Sequence, residues 1–217
     1  MGQDRLDAFR VAAIREGIDR SAEIAAPMAC NVTDLNLFHE PEYVQRVKEL
    51  SRIGKGYLDC GNTPAYPGIY DAGRFVVGTG LAAINRILRY DWHHAFVPIG
   101  GLHHARRDSA AGFSVFNDCG IMIEALRRRF GINRLAYVDI DAHHGDGVYY
   151  AFEEDPDLAI ADIHEDGRYL YPGSGAANEE GKGIARGTKV NIPLPPDSDD
   201  SDFFCAWSRV EALIEDH

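Results

Sequence analysis

Apolar residues recur along this chain with two alternating periods. Across residues 4–18, Leu6, Phe9, Ala13 and Ile14 share one face of an expected helix that Asp4 would cap. A shorter helix fits HEPEYVQRVKELS at 39–51, and helical spacing returns over 74–89. Between them, 59–70 (DCGNTPAYPGIY) is so rich in Gly, Pro, Asn and Asp that it predicts a loop. The period then shortens. HAFVPI at 94–99 predicts a buried strand, RLAYVDID at 134–141 a second, DLAIADI at 157–163 a third and TKVNIPLP at 188–195 a fourth. Helices are expected from Asn117 or Asp118 to Phe130, stopped by Gly131, and from about Ser198 onward, burying Phe203, Trp207, Val210 and Ile214.

Strand and helix in alternation imply an α/β fold with a mainly parallel sheet flanked by helices. No repeat, linker or low-complexity tract interrupts it, so the sequence predicts one domain across 1–217. Within 74–89, Gly78-x-Gly80-x-x-Ala83 imitates a dinucleotide-binding turn. Too few strand residues precede it and the next acid, Asp91, comes too early for a ribose contact. Small residues that let a helix pack closely against the sheet explain the pattern better.

Composition narrows the function classes. The chain has 217 residues, is 45% hydrophobic and carries a formal net charge of -12. That balance argues against a nucleic-acid surface, which needs clustered cations. The only basic run, Arg127-Arg128-Arg129, closes a predicted helix and reads as a solvated end. No apolar run reaches membrane-spanning length. Four dispersed cysteines and no secretory pattern predict free thiols in a reducing cytoplasm.

The chemistry concentrates at expected strand ends. In YVDIDAHHGDGV (137–148), alternation points Asp139, Asp141 and His143 one way, at the carboxyl end of a parallel strand where such sheets place ligands. Clustered carboxylates need a cation or protonated neighbours, and a carboxylate with an imidazole suits zinc. GGLHHA (100–105) offers a histidine pair fit for proton transfer once acids orient it. AGFSVFND (111–118) and HEDGRYLYPGSG (164–175) follow at further loop positions. Each feature alone has an ordinary structural explanation; four in one order do not.

Together these four segments resemble the zinc-dependent histone deacetylase family, most nearly its bacterial acetoin-utilisation-type branch. The resemblance implies an arginase/deacetylase-like three-layer fold and hydrolysis of an acetyl amide. It implies zinc held by Asp141 and His143, with His103 and His104 as tandem proton-transfer residues bonded to Asp139 and Asp146. Gly112, Phe113 and Tyr171 would line a tunnel for the acyl-lysine arm. Asn62 lies where relatives often carry a substrate-gripping aspartate, with Asp59 as the expected substitute. Main-chain oxygens of Asp139 and His143, with Asp162 where relatives often have serine, would hold potassium. The expected substrate is acetylated lysine in protein or an acetylated small amine, with no nucleic-acid or membrane partner. The family's third zinc ligand and carbonyl-polarising tyrosine have no counterpart here, and about two-thirds of a deacetylase is expected. Two other readings compete: a manganese ureohydrolase, disfavoured because Asp146 falls one position beyond its Asp-Ala-His-x-Asp spacing, and a non-catalytic binding module.

Overall fold

The computed structural model describes residues 3–90 and 92–217. Helices α1 (Gln3–Arg15), α2 (Val32–Leu35), α3 (Pro41–Ile53), α4 (Ile69–Arg89) and α5 (Asp118–Phe130) precede the first strand, β1 (Leu135–Asp139). Then come α6 (Asp146–Ala151), β2 (Leu158–Glu165), β3 (Lys189–Leu194) and α7 (Asp200–Asp216). The strands form a parallel sheet in the order β1-β2-β3, with Asp139 opposite Asp162 and Asp162 opposite Asn191.

Strand alternation divides the molecule into three layers. Leu158 and Ile160 of β2 face a core built with α2 to α6, among Leu35, Phe38, Val47, Val77, Phe116 and Ile121. Ala161 and Ile163 point the other way, onto Ile192 and onto Ala206 and Val210 of α7. Both faces of the sheet are thus covered, as parallel sheets require. Asp162 and His164 share the parity of Leu158 and Ile160, so β2 carries them to the first face at its carboxyl end.

Several helix ends follow their sequence signals. Asn117 caps α5 through its side chain, and Gly131 closes it in the left-handed region. α7 opens on a capping box of Asp199 and Asp202. The glycine pair in α4 serves close packing: a Cβ at Gly78 would meet the Met28 oxygen at 2.2 Å, and one at Gly80 the Met122 sulfur at 2.9 Å. The close neighbours are the 28–30 segment and α5, not the sheet. Asp91 lies outside the described residues.

Four expectations are corrected. Residues 94–99 form no strand; the run finds no pairing partner among the described residues, and Phe96 packs on Phe9 at 5.5 Å instead. α1 ends at Arg15 rather than 18, Asp4 lies inside its first turn, and Leu6, Phe9 and Ile14 stay exposed. In α7, Ile214 is exposed and Leu213 packs inward instead, because the helix meets the sheet on the Ala206–Val210 line. The basic run is not merely solvated: Arg127 pairs with Asp155, Arg128 with Glu124 and Arg129 with Asp34. The four cysteines are free thiols, and no helix among the described residues is long and apolar enough to cross a membrane.

Within the first of these layers, His39 ties the segment before α3 to the start of α5. Its Nε2 accepts the Asn117 N–H at 2.9 Å and its Nδ1 lies 3.3 Å from the Arg107 oxygen, so the buried ring uses both nitrogens in its neutral form. Burial lowers its pKa from 6.5 to about 4. The unfolded chain therefore takes up this proton first, and stability is lost as pH falls from about 6.5 towards 4. Urea unfolding at pH 7 and pH 5 should differ by about 2 kcal/mol more in the native chain than in His39→Gln, whose amide can keep both bonds uncharged. An equal pH response in the two proteins would remove His39 as the cause.

Candidate active site

The tandem histidines sit in a turn held from behind by the start of α5. Asp118 accepts from the Gly101 and Leu102 amides at 2.9 and 2.7 Å. Asn117 donates its side-chain N–H groups to the His103 and Ala105 oxygens at 3.2 and 2.8 Å. A residue pair that reads as a helix start in sequence therefore also fixes the turn before it. α6 supports the other side: Val148 N donates to the His103 oxygen at 3.1 Å, and a Cβ on Gly147 would lie 2.5 Å from the oxygens of His103 and Ala105.

Each imidazole then meets its own carboxylate. His103 Nδ1 is 2.6 Å from Asp139 Oδ2, and His104 Nδ1 is 2.7 Å from Asp146 Oδ1. All four residues are buried. With each Nδ1–H donated to an acid, the two Nε2 atoms face each other at 3.1 Å. A hydrogen bond there needs one donor and one acceptor, so the two Nε2 atoms cannot play the same role in it. Burial opposes the cation of His103, but the bond to Asp139 and its charge outweigh that and raise the pKa. Burial likewise works against the Asp139 carboxylate, yet the His103 and Tyr137 bonds hold its pKa below the usual range.

Tyr137 was not legible as part of this cluster. Its hydroxyl donates to the same Asp139 oxygen at 2.6 Å, while Asp139 Oδ1 accepts the Asp141 amide at 3.0 Å. Sequence reasoning also passed over His144, His164 and Ser174. His164 Nδ1 lies 2.7 Å from Asp162 Oδ1 and its Nε2 lies 3.0 Å from the Gly175 oxygen. His144 Nδ1 is 2.9 Å from Ser174 Oγ, and burial together with the nearby His164 lowers its pKa to about 4. Asp162 Oδ2 accepts the Gly145 amide at 2.8 Å, so both of its oxygens are engaged within the protein. Burial and the Asp139 charge raise its pKa although His164 pulls the other way. The period-2 alternation of β2 is the signal that places Asp162 and His164 on the Asp139 side.

Asp141 and His143 stand nearer the solvent. Asp141 Oδ1 accepts the His143 amide at 2.8 Å and lies 2.9 Å from His143 Nδ1. Burial raises the Asp141 pKa, but the His143 bonds and the His103 charge bring it below the ordinary value. One carboxylate oxygen and one imidazole nitrogen are donor types that zinc accepts, and a catalytic zinc takes three protein donors. Among the described residues, no group of three or more His, Cys, Asp or Glu meets in a metal-holding arrangement. The pair fits zinc as two donors of a larger set.

The remaining predicted residues gather around these groups to different degrees. The Tyr171 ring lies 5.1 Å from His104 and 6.3 Å from His143. Gly112, at φ +52°, approaches so closely that a Cβ would meet His104 at 2.5 Å and Tyr171 at 3.0 Å. Phe113 is exposed and sits at φ +67°, a strained conformation for an aromatic residue. Its amide donates to Thr63 Oγ1 at 3.2 Å, and Thr63 in turn donates to Asp59. Asp59 also accepts the amides of Gly61, Asn62 and Thr63, so it organises the loop beneath Phe113. Asn62 is exposed. Arg106, unpredicted, reaches Asp146 at 3.8 Å.

Comparison with known proteins follows the same outline. Residues 1–215 match the histone deacetylase domain family. The acetoin utilization protein AcuC of Bacillus subtilis (strain 168) is 36% identical over 204 residues, covering 89% of this chain and 52% of that protein. AcuC of Staphylococcus aureus (strain MRSA252) is 33% identical, with 89% and 51% covered. Among solved structures, a histone deacetylase homolog from Aquifex aeolicus superposes with a TM-score of 0.81 at 30% identity, covering 89% of this chain and 54% of that one. The HD domain of HDA15 gives a TM-score of 0.79 at 27% identity. The chain spans about half the length of these relatives, rather than the two-thirds anticipated.

Proposed function

Because this chain belongs to the histone deacetylase family, we propose that it supplies the proton-handling groups and two metal ligands of a zinc-dependent amide hydrolase. The substrate is an acetylated lysine in a protein, or a related acetylated small amine, and the products are acetate and the free amine. The observation that carries this reading is the buried pair His103–His104, each ring held by its own acid, beside Asp141 and His143.

Asp141 and His143 are the residues that would hold the metal. Zinc held there would supply Lewis-acid chemistry to the amide carbonyl and the attacking water. The rest of the chemistry belongs to this chain's side chains. Asp139 and Asp146 keep each Nδ1 protonated, which leaves the Nε2 atoms to move protons. One takes a proton from the attacking water and one returns a proton to the leaving amine. Tyr171, Gly112 and Phe113 flank the apolar methylenes of the substrate arm, with the Asp59–Asn62 loop behind Phe113. Main-chain oxygens of Asp139 and His143 would offer a monovalent cation such as potassium a place behind the site.

The test is zinc binding to the purified 217-residue chain, followed by competition with a chelator, with an acetyl-lysine peptide assay on the same sample. Asp141→Ala and His143→Ala should each weaken zinc by at least about tenfold and remove deacetylation with it. Zinc uptake indifferent to both substitutions would sink the assignment. A second reading, a binding module without turnover, is favoured by the two-donor geometry alone. Zinc that binds through Asp141 and His143 without any peptide turnover would select it.

A further inference from the structure

Away from the histidine–carboxylate cluster, α3 and the start of α4 line an open cleft of about 520 Å³. Its lining includes Lys48, Ser51, Arg52, Tyr70, Asp71 and Arg74. None of its residues belongs to the site described above.

Three cations and a single carboxylate line this cleft, in a chain whose overall charge is -12. Such a local excess focuses positive potential inside a cleft. Arg74 is fixed in place: its Nε donates to the Cys30 oxygen at 2.7 Å and one NH2 group to Asp71 at 3.2 Å. The Arg74 guanidinium and the Lys48 ammonium both approach the ring of Tyr70, at 5.7 and 6.0 Å from its centroid. Asp71 offsets the Arg74 charge, so the Lys48 ammonium is the uncompensated cation beside that ring. Lys48 makes no ion pair among the described residues, whereas Arg52 pairs with Glu49. The Tyr70 amide donates to Ser51 Oγ at 3.2 Å, so the Ser51 hydroxyl hydrogen is turned elsewhere. α4 begins here as well, with its Ile69 amide taken by the Tyr66 oxygen and its Tyr70 amide by Ser51.

We propose that this cleft binds a small phosphate-bearing molecule. Glu49 offsets Arg52 and Asp71 offsets Arg74, which leaves the Lys48 ammonium as the uncompensated charge, and the several oxygens of a phosphate can meet that ammonium and a guanidinium together. A volume of this order suits a small metabolite, and the net charge of the chain disfavours an extended polyanion such as a nucleic acid. The positive end of the α4 dipole adds to the attraction.

The experiment is calorimetric titration of the whole chain with inorganic pyrophosphate at low, constant ionic strength, with citrate as a carboxylate comparison. Saturable one-to-one binding of pyrophosphate, weakened at least about tenfold in Lys48→Glu and in Arg52→Ala, is expected. Both side chains are exposed on α3, and circular dichroism of each variant verifies the fold. Citrate should bind at least about tenfold more weakly. Absence of saturable binding, affinity unchanged in both variants, or citrate binding as tightly as pyrophosphate would each overturn the proposal.

Discussion

Gly147→Ala should lower the stability of the chain by about 3 kcal/mol, the upper end of what overpacking a well-filled interior costs. The added methyl would lie 2.5 Å from the oxygens of Ala105 and His103 and 2.6 Å from the carbonyl carbon of His104. All three are backbone atoms, so no side chain can rotate away. The turn itself is pinned by Asn117 and Asp118 on its far side, and α6 by the Val148 bond to His103. Relief therefore requires α6 and the histidine turn to separate. Urea unfolding followed by circular dichroism reads the loss directly. A midpoint within error of the parent would mean that α6 does not rest on that turn.

His104→Ala should reduce kcat for an acetyl-lysine peptide by about a hundredfold or more while leaving KM nearly unchanged, since positioned acid–base groups commonly contribute 10²–10⁴-fold. The expectation follows from the 3.1 Å contact between the two Nε2 atoms: removing one ring takes away one of the two adjoining imidazoles that can move a proton. Asp146→Asn tests the same idea without removing volume. An amide can present its NH2 group to His104 Nδ1, which then favours the tautomer protonated on Nε2 and denies that atom the role of proton acceptor. A kcat within about threefold of the parent in His104→Ala would place proton transfer elsewhere. A fall confined to KM would make His104 a substrate contact instead.

Much of this arrangement was readable from sequence where the signal is local. The α5 boundaries follow from Asn117 and Gly131, and the three strands that form are each a short apolar run between turn residues. The 94–99 run has the same local appearance and fails as a strand, since a strand exists only with a partner and no single run states whether one is near. The face of α1 was misjudged for a related reason: periodicity says which residues align, not whether anything covers them. At the site, alternation is the signal for Asp139, but β1 ends there, so Asp141 and His143 stood out by residue type and not by strand parity, and the tandem histidines stood out as a pair. Bonds spanning 36 and 42 residues, which join His103 to Asp139 and His104 to Asp146, leave no trace in spacing; they entered through family resemblance. Tyr137 and His164 escaped notice because each is two residues from an acid on the same strand face, where a tyrosine or histidine reads as ordinary core.

The Asp162–His164 pair has an implication for how this protein can change. Both side chains are essentially inaccessible, and exchanging a buried polar pair of this kind for well-packed apolar residues is often neutral or stabilising. Selection for heat tolerance alone would therefore have little reason to keep the pair and some reason to discard it. In a library propagated only for survival at high temperature, this layer beneath the histidines should drift towards hydrocarbon, whereas a library also required to keep its chemistry should hold it. The carboxyl ends of β1 and β2 are thus a place where robustness and activity can be pulled apart by what the population is asked to do.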